Sequence, residues 1–436
     1  MTAPPPGPRG KAALLTDHYE LTMVQAARES GAAERRCVFE VFARSLPGRR
    51  RYGVVAGVGR LLDLLPDMTF DEAALDFLAA SGVVDAATCE WLANYRFRGC
   101  IDAYDEGEAY FPGSPVLVVE GTFAECVVLE TLVLSVLNHD TAVATAAARM
   151  ICAAGERPCI EMGSRRTHED AAVASARAAY IAGFAATSNL AAGDRWGIPT
   201  TGTAAHAFTL VHPDERTAFA AQVKSLGNDT TLLVDTYDVA EGIRTAIEVA
   251  GPSLGAVRLD SGDLPSQARD ARRLLDSLGA TKTRIVVTSD LDEHAIAGLA
   301  AAPVDAYGVG TSLVTGSGVP TAGFVYKLVA REHNDALVPV EKRSVGKHST
   351  GGRKWAARAL HNGVAVAERI YLGDAPAPHD DERPLHVRFV SGGDVVRAPS
   401  LAEAREHCRR SRAELPEEAM KLSPGDPALE VDYIKP

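Results

Sequence analysis

The chain has 436 residues, 46% of them hydrophobic and 23% charged, enough for two domains, or for one barrel with a large companion, in an ordinary globular enzyme. Its formal charge of −12 argues against a general affinity for nucleic acid or acidic membranes, since both would repel it. Seven cysteines, at 37, 89, 100, 126, 152, 159 and 408, form no CxxC pair and are odd in number, which suits reduced thiols in the cytoplasm better than a disulfide framework.

Residues 1–12 are proline-rich, lack the apolar core of a secretory signal, and read as a disordered arm. Residues 13–130 have the texture of an α+β domain. In ALLTDHYELTMVQAARESG (Ala13 to Gly31) the apolar spacing is helical, Thr16 or Asp17 can cap the helix, and Gly31 can stop it. That places Asp17, His18 and Tyr19 where free backbone N–H groups favour an anion. RCVFEVFARSLP (Arg36 to Pro47) alternates like a strand, residues 60–97 look helical, and Gly99 to Phe123 is a run of turns and short strands. CVVLETLVLSVL (Cys126 to Leu137) is the most apolar stretch. It contains Glu130 and is too short to span a bilayer, so it reads as part of a buried helix reaching about Ala154.

From Cys159 the chain alternates strand and helix. Strand-like runs end near Glu161, Thr203, Asp235, Asp260, Ser289 and Gly308, separated by alanine-rich or amphipathic helices. The spacing, roughly 20 to 40 residues, is that of a βα repeat and predicts a parallel barrel or doubly wound sheet. The barrel domain is expected over 131–345, including VPTAGFVYKLVA (Val319 to Ala330) as a further strand. Residues 346–436, with a helix around LAEAREHCRRSRAEL, are expected to return to the N-terminal domain.

In parallel α/β folds the chemistry gathers where strands end. Here those ends carry Arg165, Arg166, His206, Asp235, Arg258, Asp260, Ser261, Asp263, Ser289 and Asp290, then the loop GVGTS (Gly308 to Ser312). Any one of these acids could simply cap the next helix, and GVGTS alone is only a glycine turn. There is no GxxxxGK[ST] P-loop and no early GxGxxG. Taken together, they match a ligand with several phosphates, a ribose diol and a centre that becomes positive. Arginine offers a planar fork to carboxylate or phosphate, and glycine amides suit a terminal phosphate. Carboxylates suit ribose hydroxyls and Mg²⁺ carried by pyrophosphate, and His206 is the obvious phosphoryl acceptor.

Ten motifs in order, LLTDHYELTM, ETLVLSVLNHDTAVATAAAR, EMGSRRTHEDA, AGFAATSNLAAG, GTAAHAF, VDTYD, VRLDSGDL, TSDLDE, GVGTSLVT and KRSVGK, resemble nicotinate phosphoribosyltransferase from about residue 13 to about 354. The resemblance implies an irregular parallel β/α barrel of the type II phosphoribosyltransferase kind with a split α+β N-terminal domain. It implies transfer of phosphoribosyl from phosphoribosyl pyrophosphate (PRPP) to nicotinate. Mg²⁺ is the implied cofactor and ATP a co-substrate, spent through a phosphohistidine at His206. The implied assembly is a homodimer with shared active sites, with no nucleic-acid or membrane partner. By match, Tyr19, Arg165, Ser188 and Arg258 hold nicotinate. His206, Asp235, Arg258 and Asp260 form the catalytic group. Arg166, Ser289, Gly308, Gly310, Thr311, Lys327 and Lys342 hold phosphates.

Ser188 falls where the related nicotinamide enzymes carry an aspartate, which would repel nicotinate. The chain departs from the family pattern at Met162, where relatives place an aromatic, at THED (Thr167 to Asp170, with His168), and at HAF after the acceptor histidine. Three alternatives stay open on the residues alone: a nicotinamide enzyme, a quinolinate enzyme, or a catalytically silent nucleotide sensor.

Overall fold

The computed structural model describes residues 12–342, 350–377 and 379–434. The expected N-terminal arm up to residue 11, and the KRSVGK motif beyond Lys342, lie outside the described residues. The chain forms two compact units: the described residues up to Ala142 together with those from Thr321 onward, and Val143–Pro320.

The first unit is built on a seven-stranded sheet. One of its interior strands, Arg36–Ala43, is buried from Cys37 onward, as expected of an apolar run covered on both faces. It pairs antiparallel with Leu117–Thr122 on one side and Phe324–His333 on the other. The second pairing corrects the expected barrel limits. The apolar pattern of Phe324–His333 places it in the barrel, but it is a strand of this antiparallel sheet, with Tyr326 stacked on Phe39 at 4.9 Å between ring centroids. Strand periodicity records which face is buried, not which sheet the strand joins. At the other limit, the unit boundary falls inside the helix Glu130–Ala154, because Leu132, Val133, Val136 and Leu137 belong to the core of the first unit.

That helix also corrects the argument about length. It has 25 residues, about 37 Å at 1.5 Å per residue, and together with the turn before it is long and apolar enough to cross a membrane. Its most apolar window is 67% buried within the protein. Burial against other elements, and not shortness, marks it as a core helix.

In the C-terminal segment, His386–Ser391 pairs antiparallel with Cys100–Tyr104. Lys354–His361, Val364–Leu372, Glu382–Pro384 and Glu430–Ile434 form a separate four-stranded sheet. Buried ion pairs join this segment to Glu108, just before the strand Ala109–Tyr110. Glu108, 1% exposed, meets Arg383 at 2.8 Å, His407 at 2.8 Å and Arg358 at 3.6 Å, and Ser411 donates to it at 2.6 Å. Burial alone would raise the Glu108 pKa, but the His407 hydrogen bond and the Arg358 and Arg383 guanidiniums hold the carboxyl well below the usual range. Such a depressed acid contributes its stability above the unfolded carboxylate value of about 4.3 and loses it as pH falls through the folded value. Glu108→Ala leaves buried cations without a counter-charge and is expected to cost about 3–5 kcal/mol. Urea unfolding at pH 7 measures it, and a loss under about 1 kcal/mol, the range of a surface pair, would refute the estimate.

The second unit is a curled half-barrel of six parallel strands. Their order is Ala186–Thr187, Cys159–Glu161, Ala306–Val309, Arg284–Val287, Ala256–Leu259, Thr231–Leu233. The strand expected to end at Thr203 is not formed. Residues 198–203 give a single parallel bridge, Thr187 to Thr200. Proline at 199 has no N–H to donate, and Thr201 and Gly202 are exposed. The short strand lies instead at the start of ATSN. Asp238, Asp263 and Asp292 accept from backbone N–H groups at helix starts, so Asp263 is a cap. All seven cysteines are free thiols.

Candidate active site

Each parallel strand stops and leaves a polar residue on the rim. After Thr231–Leu233 comes Asp235, whose side chain is 2% exposed. Its Oδ2 accepts from the Asp260 backbone N–H at 2.8 Å and the Ser261 hydroxyl at 3.0 Å. Its Oδ1 is buried without a partner, an arrangement that is costly unless something completes it. Asp260 follows Ala256–Leu259, and its Oδ1 accepts from the Thr288 hydroxyl.

His206 opens the short helix His206–Leu210. Its Nε2 stands 3.9 Å from Asp235 Oδ1 and 3.9 Å from Asp260 Oδ2, just beyond hydrogen-bond length. Its Nδ1 lies 3.2 Å from the Thr236 hydroxyl, and 40% of the side chain is exposed.

Arg258, on the Ala256–Leu259 strand, donates to the Thr203 hydroxyl at 2.9 Å, while its Nε is buried and unpartnered. Burial lowers its pKa, Asp260 and Asp235 raise it again, and the Arg165 guanidinium lowers it further. Two guanidiniums are therefore close enough to repel each other, with two carboxylates alongside, and an anion placed between the arginines would relieve the repulsion.

Arg165 and Arg166 are exposed in the turn after Cys159–Glu161, and Ser188 is exposed after Ala186–Thr187. Ser289 has φ of +136°, a backbone conformation that L-residues rarely adopt and that is often found at functional sites. A Cβ at Gly308 would come within 2.5 Å of Thr288 Cγ2 and 2.7 Å of Met162 Sδ. The departure at Met162 thus packs under the glycine loop, where only glycine fits. Gly310 precedes the short helix Thr311–Val314, and Thr311 is exposed. His168 is accounted for by helix capping, its Nδ1 accepting from the Asp170 N–H at 3.3 Å.

The remaining expected site residues belong to the first unit. Tyr19 is 45% exposed at the start of His18–Glu29. Burial, then the charges of Glu130 and Glu20, raises its pKa. Lys327 acts electrostatically on the same Glu130. Lys342 is exposed beyond Ala336–Pro339. Asp17 occupies the expected cap position, yet its side chain accepts no N–H there. The Thr16 hydroxyl donates to Glu20 instead. Among the described residues no group of three or more His, Cys, Asp or Glu side chains is arranged to hold a metal.

The family model described as the nicotinate phosphoribosyltransferase N-terminal domain matches residues 14–138. A nicotinate phosphoribosyltransferase of Mycobacterium tuberculosis, pncB1, is 56% identical over 445 aligned residues, 98% of each chain. The chain belongs to the nicotinate phosphoribosyltransferase family. A nicotinate phosphoribosyltransferase of Bacillus subtilis is 37% identical over 86% of this chain and 78% of its own. The crystal structure of human nicotinic acid phosphoribosyltransferase superposes with a TM-score of 0.83 at 27% identity, covering 96% of this chain and 97% of the other. The type II phosphoribosyltransferase-like fold expected from the motifs is therefore the fold observed.

Within this nicotinate phosphoribosyltransferase framework, the structure adds residues that the sequence reading did not single out. Thr203, Thr236 and Thr288 each place a hydroxyl on Arg258, His206 or Asp260. The available signal was a threonine within or next to each strand-end motif. In the sequence Glu161 reads only as a strand end. It is a 0% exposed carboxylate, and burial raises its pKa against the Thr187 hydroxyl and Gly163 amide that lower it.

Proposed function

We propose that this chain transfers the phosphoribosyl group of PRPP to nicotinate, giving nicotinate mononucleotide and pyrophosphate, and that ATP drives the cycle by phosphorylating His206. The observation that carries the reading is the position of the His206 imidazole, equidistant from Asp235 Oδ1 and Asp260 Oδ2.

The chemistry follows from the side chains. The nicotinate carboxylate is an anion that Arg258 and Arg165 can share, with the Ser188 hydroxyl able to donate. As the C1–pyrophosphate bond breaks, the sugar gains oxocarbenium character, and Asp260 with Asp235 offers fixed negative charge close by. The ring nitrogen of nicotinate then forms the new bond to C1, held in line by its carboxylate. The partnerless Oδ1 of Asp235 and the part-exposed carboxylate of Asp260 would hold a magnesium ion that arrives with pyrophosphate. When bound, such an ion neutralises the leaving group. Arg166, Ser289, Gly308, Gly310, Thr311, Lys327 and Lys342 are the proposed phosphate contacts.

For ATP, two carboxylates facing Nε2 favour the ring proton there, which leaves the lone pair on Nδ1. Nδ1 attacks the γ-phosphorus of ATP, the bond to the β–γ bridging oxygen breaks, and ADP leaves. Asp235 and Asp260 balance the charge on the ring. Water later cleaves the N–P bond, restoring His206 and releasing phosphate. The same reading makes the working form a cytoplasmic homodimer with active sites shared between protomers, Tyr19 taking part.

Purified protein given nicotinate, PRPP, Mg²⁺ and ATP is expected to yield nicotinate mononucleotide and ADP. Product from nicotinamide instead would assign the nicotinamide activity, and no product from either would leave a nucleotide sensor. Ser188→Asp places a carboxylate beside an anionic substrate. It is expected to lower kcat/KM for nicotinate at least about ten-fold, close to 1.4 kcal/mol. Unchanged kcat/KM would remove Ser188 from the recognition of nicotinate.

A further inference from the structure

Beneath the two turns that carry Arg165 and Ser188 runs a closed ring of hydrogen bonds. The Gly163 N–H donates to Glu161 Oε1, and the Thr187 hydroxyl donates to Glu161 Oε2. The Asn189 N–H donates to Thr187 Oγ1 at 2.9 Å, and the Asn189 amide group donates to the Ser164 hydroxyl at 3.0 Å. Ser164 follows Gly163 in the chain, so the circuit returns to its start. Two more bonds brace it from the backbone: the Ser188 N–H donates to the Glu161 carbonyl at 2.8 Å, and the Arg166 N–H to the Gly163 carbonyl at 2.8 Å. Glu161 and Thr187 are both fully buried.

A buried carboxylate satisfied by neutral donors is a poor stabiliser, since its desolvation is not offset by an opposite charge. Gln or an apolar residue would pack there at less cost. No substrate atom need reach Glu161, because the turns themselves cover it. What its carboxylate does is fix the distance between GSRR (Gly163 to Arg166) and ATSN (Ala186 to Asn189), one oxygen gripping each. Gly163 leaves no slack, as a Cβ there would lie 2.2 Å from Val314 Cγ1.

We infer that Glu161 is a positioning residue for the nicotinate carboxylate: it ties the arginine turn to the serine turn so that both present their donors to one anion. The inference rests on the function proposed above and deepens it. A planar carboxylate bound by two turns loses affinity when the turns can drift by even an ångström.

The test compares E161Q with Thr187→Val in the full chain. The glutamine amide keeps one acceptor but cannot accept from both Gly163 and Thr187. The expected result is a KM for nicotinate raised about ten-fold or more, with kcat and the KM for PRPP within about two-fold of the parent. The melting temperature is expected to hold or rise, since a buried charge is gone. Thr187→Val should shift the same KM, and the double variant should be no worse than the worse single one, the mark of a shared network. Unchanged nicotinate KM in both variants, or equal losses for both substrates, would overturn the inference.

Hydrogen exchange separates the ring from the reading of function. The Gly163 and Ser188 amides should exchange faster in E161Q while the helices keep their protection. Slow exchange at both would refute the ring even if the parent enzyme is active. Fast exchange with no nicotinate turnover in the parent would place the error in the assigned substrate.

Discussion

His206→Ala should still form nicotinate mononucleotide from nicotinate and PRPP, at a rate that no longer responds to ATP. The reason lies in the layout of the rim. The imidazole approaches the two carboxylates at 3.9 Å but makes no direct bond to either, and Asp260 is held independently by Thr288. Removing the ring therefore leaves the groups facing the sugar in place. On the proposed mechanism, what disappears is the phosphoryl acceptor and, with it, a transient negative charge on the rim that would alter affinities from one stage of the cycle to the next. Initial rates with and without ATP give the result directly. The ratio should fall to about one if, as proposed, phosphorylation of the ring carries the coupling. ATP stimulation as large in the variant as in the parent would take the phosphorylation away from His206.

Asp260→Asn should have the larger effect on the chemical step itself. The asparagine can keep its carbonyl oxygen on the Thr288 hydroxyl, so the loop geometry is preserved while the charge is lost. If Asp260 stabilises the oxocarbenium-like sugar, kcat should drop by about 100-fold, near 2.7 kcal/mol of barrier. The KM for nicotinate should change little if, as proposed, Arg258 and Arg165 hold its carboxylate. Asp235 is a less clean choice for the same test. Its Oδ2 receives both the Asp260 N–H and the Ser261 hydroxyl, so changing it disturbs its neighbour as well. A drop in kcat of under about three-fold in Asp260→Asn would mean that the charge nearest the sugar lies elsewhere.

These expectations depend on residues with very different visibility in the sequence. Asp235 and Asp260 could be read from the chain because each follows a strand, Arg258 because it sits near the end of one, and parallel sheets place such ends on one rim; His206 was legible only from its motif, since the strand expected before it is not formed. Ser289 was also on that rim, but its strained backbone was not legible, since φ at one residue leaves no trace in composition. Glu161 was hidden by its own position: the last residue of an apolar run reads equally well as a strand end or a buried acid. His168 shows the opposite case, a departure from the family pattern whose ring nitrogen caps the following helix by accepting from the Asp170 N–H. Phe324–His333 misled because a strand looks the same from either sheet.

Local pattern thus indicated most of the strands and helices and where polar side chains interrupt them, because side-chain period and turn chemistry are properties of neighbours in the chain. The ordered motifs settled the family. Folding decided the rest: that Phe324–His333 pairs with Arg36–Ala43, that 198–203 supplies only a bridge, that one oxygen of Asp235 is occupied and the other partnerless, and that Glu161 joins two turns. Each of those outcomes depends on hydrogen bonds between residues distant in sequence, formed only after the chain has closed its loops and excluded water, and such partners have no local signature.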